Sequence, residues 1–503
     1  MILGTLVACI GLGMAARSAS AQQNVLVIVA DDLGVRNVGA YVNGTPAVEG
    51  TPPPTPNIDS IATAGVRFTN CWGNPVCSPM RASFLTGRYP ARHGIGNVVG
   101  AVNGPELEDS EVTLPEALVA AGASTAGVST ALVGKWHLDA NPPDPNSPGL
   151  NGFGYFAGSF QGAIPSYFRW PKTVQGEQQI STTYATTDCV NEARDFINGS
   201  KGPWFCVVAF NAPHTPFHLP PENLITVVPD GTPATNPDGH YRAMIEAMDT
   251  EIGRLFAETR GGLSGLLQDT WVIFVADNGT PPAAADPPLE PNDRIKGTCF
   301  EGGIKVPLLV AGPGVAAPGR VRADLVSVVD LFPTVGDMMG LDVRSAVPSD
   351  RPFDGVSFIR SLRQPFSAPV RATVYSEQFQ GDPWTAGQNT ARNSRYKLIR
   401  TANIFQFYDL LIDPAEAVDL VAGGVDALSA SQRSAYDTLR AAMFAIVPPP
   451  DCPCDLDDDF DSDLADLALF MARWPAGAAD YDGNGIQDRS DMRAFLQCLR
   501  GCQ

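Results

Sequence analysis

Three short apolar runs in this chain each end abruptly in groups that can bind ions or move protons. Asn24 to Ala30 runs into Asp31-Asp32, Trp204 to Phe210 into Asn211-Ala212-Pro213-His214, and Trp271 to Ala276 into Asp277-Asn278-Gly279. Asp31, Asp32, Asp277 and Asn278 offer hard oxygens, a donor set that suits calcium better than zinc. Cys77 and Arg81 stand one helical turn apart, and Lys135, His137 and Lys296 follow. From Ser78 onward the chain reads as a helix, so Cys77 sits at an N-terminus whose free N–H groups and dipole favour an anion. Arg81, Lys135 and Lys296 are cations able to clamp such an anion, and the two histidines are candidates for acid and base. Each feature alone has an ordinary reading, since Asp-Asn-Gly at a strand end is usually a turn. Their concentration is the signal: the chain has only 5 histidines.

The elements that must position these residues follow from pattern. The three runs are short, continuously apolar and β-branched, which suits central strands covered on both faces. Helical patterns lie between them at Ile58 to Ala64, Tyr184 to Ile197 and Tyr241 to Thr259. Alternating strands and helices predict an α/β domain, and ligands of such sheets gather outside the carboxyl ends of the strands. Beyond Ser345, short strands at Val374 to Glu377, Tyr396 to Arg400 and Phe405 to Tyr408, with a helix at Ser431 to Phe444, predict a smaller α+β subdomain. The expected organisation is a catalytic α/β domain over 22–345, the subdomain over 346–446, a stiff Pro-rich linker over 447–450 and a distinct tail over 451–503.

The segment Pro75-Val76-Cys77-Ser78-Pro79-Met80-Arg81-Ala82-Ser83-Phe84-Leu85-Thr86-Gly87-Arg88 resembles the formylglycine-dependent sulfatases, members of the alkaline-phosphatase superfamily. In that family the Cys of a Cys-x-Pro-x-Arg motif is oxidised to an aldehyde. Gly127 to His137 (GVSTALVGKWH) matches a second family signature, and the likeness continues through Asn211 to Pro216, Ala276 to Gly279, Lys296 to Gly303 and Phe407 to Leu410. It spans about residues 24–445. Met80 replaces a small residue, and Lys305 stands where the family usually has Arg. The resemblance implies an alkaline-phosphatase-like sheet sandwiched by helices and hydrolysis of sulfate esters, with sulfated carbohydrate as the substrate class. It implies that a hydrated formylglycine made from Cys77 by a formylglycine-generating enzyme attacks sulfur. A calcium would be held by Asp31, Asp32, Asp277, Asn278 and residue 77 itself. Arg81, Lys135 and Lys296 would clamp sulfate, His214 with Lys296 would protonate the leaving oxygen, and His137 would act as base during sulfate release. Two other readings are a phosphodiester or phosphonate monoester hydrolase using the same aldehyde, and a non-catalytic sulfoglycan-binding protein with Cys77 a thiol.

Net charge over the 503 residues is −20, which argues against nucleic acid as a partner, since phosphate backbones need a basic footprint. Ile2 to Met14 is apolar and Ala19-Ser20-Ala21 resembles a cleavage site, so residues 1–21 read as a signal peptide and the protein as secreted, periplasmic or cell-surface. Nothing later approaches the roughly 20 apolar residues of a membrane span. The tail holds 12 Asp and 4 Arg, and four of the 10 cysteines, Cys452, Cys454, Cys498 and Cys502, suit one or two disulfides there. Asp480, Asp482, Asn484, Asp488 and Asp491 take the ligand positions of a calcium loop, with Gly485 at the sharp turn. Asp455, Asp457, Asp459, Asp463 and Asp466 repeat the spacing 25 residues earlier, with Phe460 in place of the glycine. This pair resembles the dockerin module, an EF-hand-like helical unit that implies one or two further calcium ions and a cohesin-like docking partner.

Overall fold

The computed structural model of the protein describes residues 23–44, 48–101, 104–122, 127–449, 464–474, 481, 486–487 and 489–501. The expected signal peptide lies outside them. All seven residues of strand β1 (Asn24–Ala30) are buried, which its unbroken apolar run requires. The large sheet also contains β2 (Val66–Trp72), β3 (Ser129–Lys135), β4 (Tyr155–Ser159), β5 (Trp170–Val174), β6 (Glu177–Ser181), β7 (Trp204–Ala209), β8 (Thr270–Ala276), β9 (Lys305–Ala311) and β10 (Arg320–Ser327). Their order is β10-β2-β9-β8-β1-β7-β3-β4-β5-β6. β8, β1, β7, β3 and β4 form a parallel block. β9 runs against β8 and against β2, so β2 points the same way as β1. Helices Pro56–Ala64, Ala185–Gly199 and Pro237–Glu258 pack together on one face, and Cys77–Thr86, Leu114–Gly122 and Leu331–Met339 cover the other.

A second, antiparallel sheet contains β11 (Val374–Phe379), β12 (Gly387–Arg392), β13 (Tyr396–Thr401) and β14 (Ile404–Asp409), in that order. The sequence GQNTAR of β12 has no apolar run and carries no strand signal of its own. Pairing on both sides, with β11 and with β13, holds it extended. Helix Ala430–Phe444 closes this subdomain through Tyr436, Leu439, Met443 and Phe444. Its start is secured by a capping box between Ser429 and Gln432.

The two sheets are joined by a buried charge network. Glu301 accepts from Trp72 Nε1 at 3.0 Å, from Arg392 Nη1 at 3.0 Å and from Lys397 Nζ at 3.3 Å. Lys397 also meets Glu416 at 2.8 Å. Trp72 belongs to the large sheet, and Arg392 and Lys397 to the small one.

In the tail, helices Leu464–Arg473 and Arg489–Gly501 meet through Phe470 and Phe495, whose rings stack at 4.2 Å. Asp466 and Asp491 are fully buried, and Cys498 is disulfide-bonded. The other expected loop ligands, Asp455, Asp457, Asp459, Asp463, Asp480, Asp482, Asn484 and Asp488, lie outside the described residues. No described helix is long and apolar enough to cross a membrane.

Candidate active site

Parallel strands direct distant segments to one edge of the large sheet. Asp31 and Asp32 follow β1, Lys135 ends β3, His214 follows β7, and Asp277 and Asn278 follow β8. β2 delivers Cys77 to the same edge, at the first position of helix Cys77–Thr86. Two glycines permit the close approaches. A Cβ on Gly73 would stand 2.4 Å from the Asp277 carbonyl oxygen, and one on Gly134 would stand 1.9 Å from that of Ala209. Neither position could hold a side chain without moving backbone.

Cys77 Sγ lies 3.3 Å from Asp31 Oδ1 and 3.7 Å from Lys296 Nζ. Lys135 Nζ donates to Asp31 Oδ2 at 2.5 Å, and Lys296 Nζ pairs with Asp32 Oδ1 at 2.5 Å. Arg81 donates to Asp277 Oδ2 and to the Lys135 carbonyl, both at 3.0 Å. Asp277 Oδ1 accepts the N–H groups of Asp32 and Asn278 at 2.9 and 2.8 Å. Asn278 Nδ2 donates to Asp32 Oδ1 at 2.7 Å. His214 Nδ1 donates to the Thr215 carbonyl at 2.9 Å, leaving Nε2 3.7 Å from Asp32 Oδ2. The side chains of His214 and Lys296 are 15% and 16% exposed, against 0–6% for Asp31, Asp32, Arg81, Lys135 and Asp277. These two residues therefore mark the mouth of the site.

Burial and the Asp31 carboxylate push the Cys77 thiol well above its ordinary range. As a thiol it is a poor nucleophile. Burial opposes charge on Asp32, but Lys296 and His214 outweigh it and hold that carboxyl below its usual range. Asp277 moves the other way, raised by burial and by Asp31 against the pull of Arg81. Burial lowers His214 to about 4, with Asp32 opposing and Lys135 and Lys296 assisting.

Asp31, Asp32, Cys77 and His214 offer ligand atoms that all lie within 4.8 Å of one another. Asn278 Oδ1 is buried with no hydrogen-bond partner among the described residues, a costly state for an amide oxygen. With the thiol protonated, the strong donors are carboxylate and amide oxygens, a set that fits a hard divalent cation.

His137 is placed differently from the rest. It follows β3 in a left-handed backbone conformation, φ 58°, with its ring packed against Gly162. Its Nδ1 is buried with no partner among the described residues. Burial, then Lys135 and Arg81, lower its pKa well below the ordinary value, which favours the neutral imidazole beside the cluster. Two residues essential to the geometry carried no signal in the sequence. Tyr167 donates to the carbonyls of Asn211 and His214 at 2.6 and 2.7 Å, and Tyr241 donates to that of Asp32 at 2.8 Å. Asp32 itself has φ 70°, a strained conformation that Tyr241 and Asp277 together pin in place.

Residues 23–341 match the sulfatase family, and residues 295–432 match the C-terminal region of N-sulphoglucosamine sulphohydrolase. The chain is 31% identical over 387 residues to the Homo sapiens N-acetylgalactosamine-6-sulfatase, covering 70% of this chain and 68% of that protein. It is 31% identical over 422 residues to Bos taurus arylsulfatase A, covering 78% and 77%. Among solved structures, the PsFucS1 sulfatase from Pseudoalteromonas sp. superposes with TM-score 0.65 at 24% identity, covering 86% of this chain and 92% of that one. A structure in complex with its substrate D-glucosamine-2-N,6-O-disulfate superposes with TM-score 0.65 at 19% identity, covering 87% and 99%. The family match spans the strand ends that assemble the cluster, and the chain belongs to the sulfatase family, whose enzymes hydrolyse sulfate esters.

Proposed function

We propose that this sulfatase works through a formylglycine made from Cys77 and a calcium ion held by Asp31, Asp32, Asp277 and Asn278, with sulfated carbohydrate as substrate. The observation that carries this reading is the place of Cys77: a sealed helix N-terminus, 3.3 Å from Asp31 and 3.7 Å from Lys296. The Sγ atom stands in for the oxygens of the hydrated aldehyde, which supplies both an attacking hydroxyl and a second one to release sulfate. Three carboxylates (Asp31, Asp32, Asp277) face three cations (Arg81, Lys135, Lys296), so a dication held by these oxygens would leave the site net positive, and when bound it would polarise sulfate and acidify the attacking hydroxyl.

The chain's own groups have separable duties. Arg81 is fixed by Asp277 and the Lys135 carbonyl, which pre-aims its guanidinium without reorganisation. Lys135, paired with Asp31, and Lys296, 3.7 Å from Cys77 Sγ, meet the sulfate oxygens. His214, at the mouth, faces the leaving oxygen, and a bound sulfate's negative charge favours its protonated form. His137 takes the proton released when sulfate departs. The curated N-acetylgalactosamine-6-sulfatases and the disulfated glucosamine complex support a sulfated sugar as substrate.

Protein from a host with a formylglycine-generating enzyme is expected to carry the aldehyde at position 77, read by mass analysis of the peptide containing Cys77. Fully active protein with an unmodified thiol would end the proposal. His214→Ala is expected to lower kcat/KM on alkyl sulfates by about 10²–10⁴-fold, the usual worth of a general acid, while sparing activated aryl sulfates. Equal losses on both substrates would reduce His214 to positioning sulfate.

The tail reads as a separate dockerin-like calcium module on an exported protein. Its twelve aspartates repel one another and its apolar cluster is small, so cations are needed to fold it. Chelation is expected to melt the tail helices before the catalytic domain, followed by circular dichroism. Truncation after Pro450 should leave aryl sulfate hydrolysis intact, since no proposed catalytic residue lies beyond it. Loss of activity in a folded truncated protein would refute the independence of the tail.

A further inference from the structure

One residue beyond Lys296, Gly297 donates its N–H to the Pro75 carbonyl at 2.8 Å. The loop bearing that lysine thus lies against the approach to Cys77. Gly297 also lines a cavity of about 400 Å³, whose other walls come from Asn97 and from the small sheet. That volume is typical of ligand sites. Strand pairing sets Gln378 of β11 opposite Gln388 of β12, and Gln388 opposite Thr401 of β13. All three line the cavity, with Gln380 and Thr385 at its rim. Gln378 Nε2 donates to Asn97 Oδ1 at 3.4 Å, and Gln388 Oε1 accepts the Cys299 N–H at 3.3 Å. These bonds orient the amides before any ligand arrives.

None of the described residues lining the cavity carries a charge. That absence decides between ligand classes. A densely sulfated or uronate-bearing neighbour brings anions, which are met by arginine or lysine. Hydroxyl and acetamido groups are met by amides and hydroxyls, which both donate and accept. We propose that this cleft is a subsite for an uncharged sugar ring linked to the sulfated one, so that the substrate is a sparsely sulfated neutral oligosaccharide. The inference rests on Cys77 being the reaction centre, which lies two residues beyond the Pro75 carbonyl that Gly297 of the cavity wall meets.

The test compares three substrates: an aryl sulfate, a monosulfated disaccharide of neutral sugars, and the matching disaccharide with a uronate neighbour. The neutral disaccharide is expected to be preferred over the uronate one by about tenfold or more in kcat/KM. Gln378→Leu and Gln380→Ala should each lower kcat/KM on the neutral disaccharide by about two- to tenfold, the range of one hydrogen bond, and leave aryl sulfate unchanged. Gln380 is exposed, so its replacement does not threaten the fold. Equal losses on aryl sulfate and disaccharide, or a preference for uronate, would overturn the assignment. Calorimetric binding of both disaccharides to Cys77→Ala protein reads the cleft without turnover. Preferential neutral binding weakened by Gln378→Leu supports the subsite, and indifferent binding removes it. Failure of aldehyde-bearing wild-type enzyme on aryl sulfate would strike the catalytic reading instead.

Discussion

Replacing Cys77 with Ser is expected to lower steady-state turnover by about 10⁴-fold or more, the scale for removing an enzyme's nucleophile, while leaving the protein folded and able to bind sulfate esters. A serine hydroxyl at this position keeps the surroundings that serve attack: the helix N-terminus, Asp31 at one side and Lys296 at the other. It lacks the second oxygen on the same carbon, so it has no internal route to expel sulfate. The specific expectation is a single sulfation event, with sulfate retained on residue 77 and detected by mass analysis. Sustained turnover by the serine protein would show that the second hydroxyl is not needed, and the proposed release step would fall.

Glu301→Ala is expected to destabilise the fold by about 3–5 kcal/mol, the cost of leaving buried charges without their partner. Burial opposes ionisation of Glu301, yet Arg392, Lys397 and Lys305 together hold its carboxyl below the usual range. A carboxyl depressed in the folded state adds stability above the ordinary glutamate range, and that stability fades as pH falls toward the folded value. Lys397 keeps Glu416 in the variant, but Trp72 Nε1 loses its acceptor and Arg392 its carboxylate. The measurement is the denaturant midpoint at unchanged slope. A shift under about 1 kcal/mol would mean that Glu416 and local water replace the network. The same residue lies five positions beyond Lys296, so the variant also asks whether this joint between the sheets holds the lysine loop in place.

Much of the site was legible because its signals are local. An unbroken apolar run such as Asn24–Ala30 can satisfy its burial only as a central strand, and the polar residues after it must then emerge at the sheet edge. The spacing of Cys77 and Arg81 sets both on one helix, as the structure has them. Tertiary structure decided what no local pattern carries. Arg81 meets Asp277 across 196 residues of chain, and parallel strand order makes that meeting possible. Polar β12 becomes a strand only because β11 and β13 pair with it on both sides. The strained backbone of Asp32 persists because Tyr241 and Asp277, from other elements, hold it. Apolar periodicity and short-range spacing are properties of the chain itself. Register, strand order and the balance of buried charges depend on which segments end up side by side, and they exist only once the fold has formed.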